Sequence, residues 1–207
     1  MKGRILVSWL IYLFLALMKI KLLHVAEGAV VGCKEELLDH VRHLTTTARV
    51  SPDYDFDEVG FNYRMTNIQA AVGVAQMERI SDFIATKRHV RKYYEENLTK
   101  LEDKNIIFFP ISSGSSCWFS GIVLPEGTEL KNAKDICAVL KESGIEARSF
   151  WKLVYLQVPY ADCPSSTVKA ESLWQRIVAL PCSTNITNEE LEFVVTKVTE
   201  AVDRVCG

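Results

Sequence analysis

The chain has 207 residues, 48% hydrophobic and 24% charged, with a formal net charge of −2. That is the composition of an ordinary globular protein, long enough for one substantial domain or a domain plus an arm. The charge gives no electrostatic case for nucleic acid, and no basic run supplies one. Six cysteines (Cys33, Cys117, Cys137, Cys163, Cys182, Cys206) are spread singly, with no C-x-x-C pair. A zinc site and a disulfide framework are therefore not expected, and the thiols read as reduced and cytoplasmic.

The first element is an uncharged run, Ile5 to Met18, between Lys2 and Arg4 on one side and Lys19 and Lys21 on the other. It is short for a membrane span, which takes roughly 20 apolar residues. A basic start before an apolar stretch also suits a signal peptide, although no small-x-small cleavage site follows. Residues 1–25 read as a leader foreign to the rest, left by a truncated or frame-shifted gene start. The alternative is membrane tethering or export, with membrane contact only through residues 5–18.

Ala29 to Val31 is a short buried strand, and Glu35 to Leu44 a helix with Leu37, Leu38 and Val41 on one face. His40 and His43 read as surface histidines. Leu44 to Arg49 is a polar loop, and Ser51 to Asp57 a second loop bearing Pro52, Asp53, Asp55 and Asp57. Gly60 makes a tight turn before Phe61, Asn62, Tyr63 and Arg64. Thr66 and Gln69 form a capping box, each side chain satisfying an orphan N–H of the first helical turn. The helix they open, Asn67 to Met77, is apolar on almost every side through Ile68, Ala70, Ala71, Val72, Val74, Ala75 and Met77. Such a helix is buried in a core, a membrane or a subunit interface. Gln69 and Gln76 argue against the membrane and leave core or interface.

An amphipathic bridging helix follows from Ser81 to Leu101, its inner stripe Phe83, Ile84, Val90, Tyr94, Leu98 and Leu101. Ile106–Phe109 and Trp118–Leu124 are strands, the second ended by Pro125 and Gly127. Asn132–Glu142 is a helix stopped by Gly144 as its C′ residue. Ile145–Phe150 is a strand, Trp151–Pro164 an irregular loop, Lys169–Gln175 a short helix, and Ile177–Leu180 a strand. The last helix has a Thr187/Glu190 capping box, an Ile186/Leu191 staple, and a stripe of Leu191, Val194, Val195, Val198, Val202 and Val205. The fold class is α/β, a small mixed sheet packed with helices plus the long bridging helix.

The stretch Gly60-Phe61-Asn62-Tyr63-Arg64-Met65-Thr66-Asn67-Ile68-Gln69-Ala70-Ala71 closely resembles the G-[YF]-N-Y-[RK]-[ML]-[TPS]-[ND]-[IL]-x-A-A motif of the DegT/DnrJ/EryC1/StrS sugar aminotransferases. Leu44-Thr45-Thr46-Thr47-Ala48-Arg49 resembles the branch that aminates UDP-linked 4-keto-6-deoxy amino sugars, and Gly144 to Arg148 with Trp151 resembles the family's G-I-x-[TA]-R and W-x-x-[LM]. The resemblance implies the C-terminal part of a fold type I transferase that uses pyridoxal 5′-phosphate, works as a homodimer, and takes a nucleotide-sugar substrate with glutamate as amino donor. On that basis residues 26–80 are a remnant of the large cofactor domain, and residues 81–207 are the bridging helix and small C-terminal domain.

The resemblance also implies site roles. The cofactor lysine precedes a K-x-[IL]-T-T-G-[EG]-G-G run, whose counterpart here is Lys21 to Gly28, with one glycine missing and both threonines replaced. Lys21 is thus the candidate catalytic lysine, Lys19 the neighbouring option, and flanking of the apolar leader the plain alternative. The motif asparagine, Asn62, reaches the phosphate of the partner's cofactor, unless it only serves the turn. Arg64 serves a phosphate or nucleotide-sugar oxygen, or a salt bridge to Asp57 or Glu58. Arg148, Trp151 and Lys152 line the substrate cleft, with a solvated loop cation the alternative for Lys152. Phe61 and Tyr63 read as packing residues. No metal-ligand spacing stands out. A non-catalytic C-terminal fragment that dimerises, and a membrane-tethered domain, are the competing functions.

Overall fold

The computed structural model describes residues 35–207, which divide into two units between Ser81 and Asp82. Lys21, the residue 5–18 run and the Ala29–Val31 strand lie outside the described residues.

In the first unit, helix α1 (Glu35–Thr45) ends where Thr45 and Thr46 turn their hydroxyls back on its carbonyls, donating to Val41 and Arg42 at 2.8 Å each. Thr47 and Ala48 then take left-handed backbone, φ 71° and 52°. For non-glycine residues this conformation costs roughly 1–2 kcal/mol each. Antiparallel bridges join Thr46 to Asn62 and Arg49 to Phe56, so the expected polar loop is half of a paired structure. Helix α2 (Asn67–Glu78) opens on the expected capping box, with Gln69 N–H donating to Thr66 Oγ1 and Thr66 N–H to Gln69 Oε1. None of its residues is buried, and Ile68 is 80% exposed. Burial of this helix in a core is therefore not found among the described residues.

In the second unit, helix α3 (Ile80–Asn97) carries Phe83, Val90 and Tyr94 inward and continues through a 3₁₀ turn (Thr99–Lys104) that buries Leu101. Burial pushes the Tyr94 phenol up, so it stays a neutral donor, bonded to the Pro181 carbonyl at 2.7 Å. Strands β1 (Ile107–Phe108), β2 (Ser120–Val123), β3 (Arg148–Ser149) and β4 (Ile177–Leu180) form one sheet in the order β1-β2-β4-β3. Every pairing is antiparallel, so the sheet is not mixed. Helix α4 (Leu130–Glu142) does return the chain in the direction of β2, but β4 inserts between β2 and β3 and runs against both.

Alternation along the strands gives the sheet two covered faces. Ile122, Val178 and Leu180 meet α3, α4 and helix α6 (Asn188–Cys206) in the main core. Phe119, Val123 and Ile177 meet Phe109, Trp118 and Phe150 on the other side. Gly121 is required there, because a Cβ would stand 2.8 Å from the Val178 carbonyl oxygen and 2.9 Å from the Phe119 ring. Gly144, φ 76°, closes α4 as expected, with Ile145 N–H bonded back to Leu140. Helix α5 (Val168–Leu173) and three short 3₁₀ turns (Val154–Leu156, Val158–Tyr160, Trp174–Arg176) complete the unit. Cys117, Cys137, Cys163, Cys182 and Cys206 are free thiols. Among the described residues, no helix is long and apolar enough to cross a membrane.

Candidate functional site

The Gly60–Arg64 segment is held by its backbone. Phe61 N–H donates to Leu44, Thr47 N–H to Phe61, and Tyr63 N–H to Thr45, at 2.7–3.1 Å. Gly60 is not among the positive-φ glycines, so its role is not the expected tight turn. A Cβ there would lie 2.2 Å from the Thr47 carbonyl carbon, and glycine is what lets the two backbones meet. Asn62, pinned on both sides, leaves its side chain exposed and without a hydrogen-bond partner among the described residues. Arg64 is exposed too, and the salt bridge weighed for it is absent among the described residues. Asp57 instead pairs with His43 at 2.6 Å and Glu58 with His40 at 3.4 Å. That hydrogen bond from His43 is the main cause holding the Asp57 carboxyl below its ordinary value. Phe61 and Tyr63 do not pack inward. They stack on each other, centroids 5.2 Å apart, and stay 47% and 72% exposed.

In the second unit, Arg148 pairs with Ala179 across β3 and β4, which places it on the aromatic face of the sheet. Its guanidinium meets Glu146 at 3.3 Å in solvent, an ion pair worth little. Trp151, half-exposed, leans edge-on to Phe150 at 4.8 Å and lies 5.6 Å from Trp118. Phe109, Trp118 and Phe119 line a cavity of about 210 Å³ with Ser112 and Ser115. Lys152 is exposed, with no ion-pair partner among the described residues. Arg148 and Trp151 thus come together on one face. The aromatic layer beneath them was not anticipated, although Phe109, Trp118 and Phe119 lie within the expected strands Ile106–Phe109 and Trp118–Leu124.

Solved structures share the fold. The chain is similar to the aminotransferase TlmJ from Streptoalloteichus hindustanus, with TM-score 0.79 and 17% identity over 93% of this chain and 52% of that one. It is also similar to Helicobacter pylori PseC, an aminotransferase involved in pseudoaminic acid biosynthesis, with TM-score 0.76 and 22% identity over 91% and 52%. At these identities the likeness shows the fold, the partial fold type I α/β architecture expected from the sequence. Sequence relatives narrow it. GDP-perosamine synthase of Caulobacter vibrioides is 30% identical over 190 residues, 89% of this chain and 50% of that protein. The UDP-4-amino-4,6-dideoxy-N-acetyl-beta-L-altrosamine transaminase of Campylobacter jejuni strain NCTC 11168 is 22% identical over 195 residues, 87% and 50% respectively. The DegT/DnrJ/EryC1/StrS aminotransferase family matches residues 16–199, and the chain belongs to that family.

The chain spans about half the length of the curated relatives it matches. Pyridoxal phosphate is the cofactor the family implies for the intact enzyme. The described residues fit it at one point: Asn62 offers a neutral, unengaged amide on a backbone held by hydrogen bonds, suited to a phosphate oxygen. They do not enclose the group by themselves.

Proposed function

We propose that the chain serves an aminotransferase that passes an amino group from glutamate to a nucleotide-linked 4-keto-6-deoxy sugar, acting in the cytoplasm as a homodimer. The observation that supports this best is the Gly60–Ala71 stretch, whose backbone is pinned while Asn62 and Arg64 project free of the described residues. Pyridoxal phosphate, when bound, supplies the electron sink for the amino transfer. Lys21 would hold it covalently and move the proton, and Asn62 would donate its amide N–H to a phosphate oxygen of the partner subunit's cofactor. Arg64 lays its guanidinium fork on a phosphate or nucleotide-sugar oxygen. Arg148, Trp151 and Lys152 meet the substrate, the indole offering a flat apolar face and the two cations their charge to a diphosphate. The open apolar surface of α2 closes against the second copy.

The test is Asn62→Ala in the intact enzyme. A hydrogen bond to a charged group is worth about 1.5–3 kcal/mol, so cofactor affinity falls roughly ten- to a hundredfold. Thermal stability of the apo form stays unchanged, because Thr66 and Gln69 still cap α2. Reduced apo stability with unchanged cofactor affinity makes Asn62 a structural residue and ends the assignment.

A further inference from the structure

Helix α3 buries two cations, Lys87 and Arg91. Arg91 has a carboxylate, Glu95, at 2.6 Å. Lys87 is only 8% exposed and has no carboxylate partner among the described residues. A buried amine is costly unless its hydrogen bonds are made. Lys87 Nζ makes them to one residue: it donates to the Cys182 carbonyl oxygen and stands 3.7 Å from the Cys182 sulfur. The thiol in turn lies 3.5 Å from the Trp118 carbonyl oxygen. Two turns further along α3, Tyr94 holds the neighbouring Pro181 carbonyl at 2.7 Å. Lysine nitrogen and thiol sulfur are therefore held face to face by two side-chain bonds from the same helix. Cys182 is half-buried.

We propose that Lys87 and Cys182 form a reversible oxidative cross-link, a sulfenamide, when the protein meets a hydroperoxide. The thiol sulfur first takes an oxygen from hydrogen peroxide. The S–O bond forms as the O–O bond breaks, and the thiol proton leaves with the second oxygen as water, giving the sulfenic acid. The Lys87 ammonium gives up one proton to solvent, and the amine so formed attacks that sulfur. The N–S bond forms, the S–O bond breaks, and the displaced hydroxide leaves as water with a proton from nitrogen. In all, thiol and amine lose two hydrogens and one peroxide becomes two waters. Two equivalents of an added thiol reverse the link, restoring Cys182 and Lys87 and yielding the reductant's disulfide. The bond closes a loop between positions 95 residues apart. It restricts the unfolded chain and ties α3 to the segment after β4.

The experiment is peptide mapping of the peroxide-treated protein by mass spectrometry. The expected product is a Lys87 peptide joined to a Cys182 peptide, lighter than their sum by two hydrogens and separated again by dithiothreitol. Cys163 and Cys206, both exposed, report general oxidation in the same sample. The unfolding midpoint rises on treatment and returns with the reductant. Cys182→Ser and Lys87→Arg both lose the joined peptide, but the mapping itself uses the unaltered protein. Recovery of Cys182 as a free thiol while Cys163 and Cys206 are oxidised overturns the proposal. So does Cys182 found as sulfinic acid with Lys87 unmodified.

Discussion

Helices α2 and α6 start from the same local code and end in different environments. Each opens on a threonine capping box, Thr66 with Gln69 and Thr187 with Glu190, with reciprocal hydrogen bonds of 2.8–3.3 Å. Helix α6 then presents one apolar stripe, and Leu191, Val194, Val198, Ala201 and Val202 are all buried. Helix α2 is apolar around its circumference, yet none of its residues is buried. A cap fixes where a helix begins; what the helix packs against depends on which of its faces is apolar. One stripe can be covered by the chain's own sheet and helices. Apolar residues on all sides need a second surface, and exposed patches of that kind mark interaction sites.

The largest expected effect tests that second surface. The unaltered protein is expected to sediment as a dimer or larger, and Val72→Glu, which puts a charge on α2, to shift it to monomer. A clean monomer before substitution removes the interface reading. Next come the cores. Leu191→Ala deletes a fully buried side chain, and such truncations cost about 2–5 kcal/mol. Ile68→Ala, at 80% exposure, is expected to stay within about 0.5 kcal/mol when the protein is dilute. Its cost grows with protein concentration if α2 is covered by a partner. Denaturant titrations at two concentrations separate the cases, and an Ile68→Ala cost equal in both fails the comparison.

The caps come third. Removing the threonine hydroxyl, Thr187→Ala or Thr66→Ala, costs about 0.5–2 kcal/mol of local stability. Because α6 is locked to α4 and the sheet, Thr187→Ala is expected to lower the global unfolding midpoint of the second unit. Thr66→Ala is expected to speed amide exchange in the first turns of α2 alone. Global destabilisation by Thr66→Ala would mean that α2 belongs to the cooperative core.

What was legible in the sequence was what local chemistry determines. The Thr187 cap, the stripe of α6 and the limits of β4 needed only side-chain period and capping residues. The Gly60–Ala71 stretch disclosed the family because its length is specific. What was not legible depended on distant partners. Gly60 looked like a turn residue because the strained Thr47–Ala48 backbone that it meets lies a dozen positions upstream. The mixed sheet was a reasonable inference from strand, helix, strand; only the insertion of β4 made it antiparallel. Lys87 and Arg91 carry no local sign of burial, since the Cys182 carbonyl and the Phe108 ring that receive them come from remote strands and loops.

The smallest expected effect concerns how the Gly60–Asn62 segment is approached, and it sharpens the contrast between a helix fixed by a core and a motif fixed by surface bonds. Asp57 accepts from His43 at 2.6 Å, and that bond is the chief reason its carboxyl titrates below the ordinary value. A depressed folded-state value means the contribution is fully present above the ordinary carboxylate pKa. It is lost as pH falls through the lowered folded one. The pair is solvent-exposed, so the effect is local and small. Protection of the Phe61 and Tyr63 amides, corrected for intrinsic exchange, is therefore expected to decline only below the carboxylate range. Asp57→Asn should remove that decline by lowering protection slightly at every pH. If protection in Asp57→Asn matches the unaltered protein throughout, the backbone bonds to Leu44 and Thr45 hold the motif unaided, and the His43–Asp57 pair plays no part in positioning Asn62.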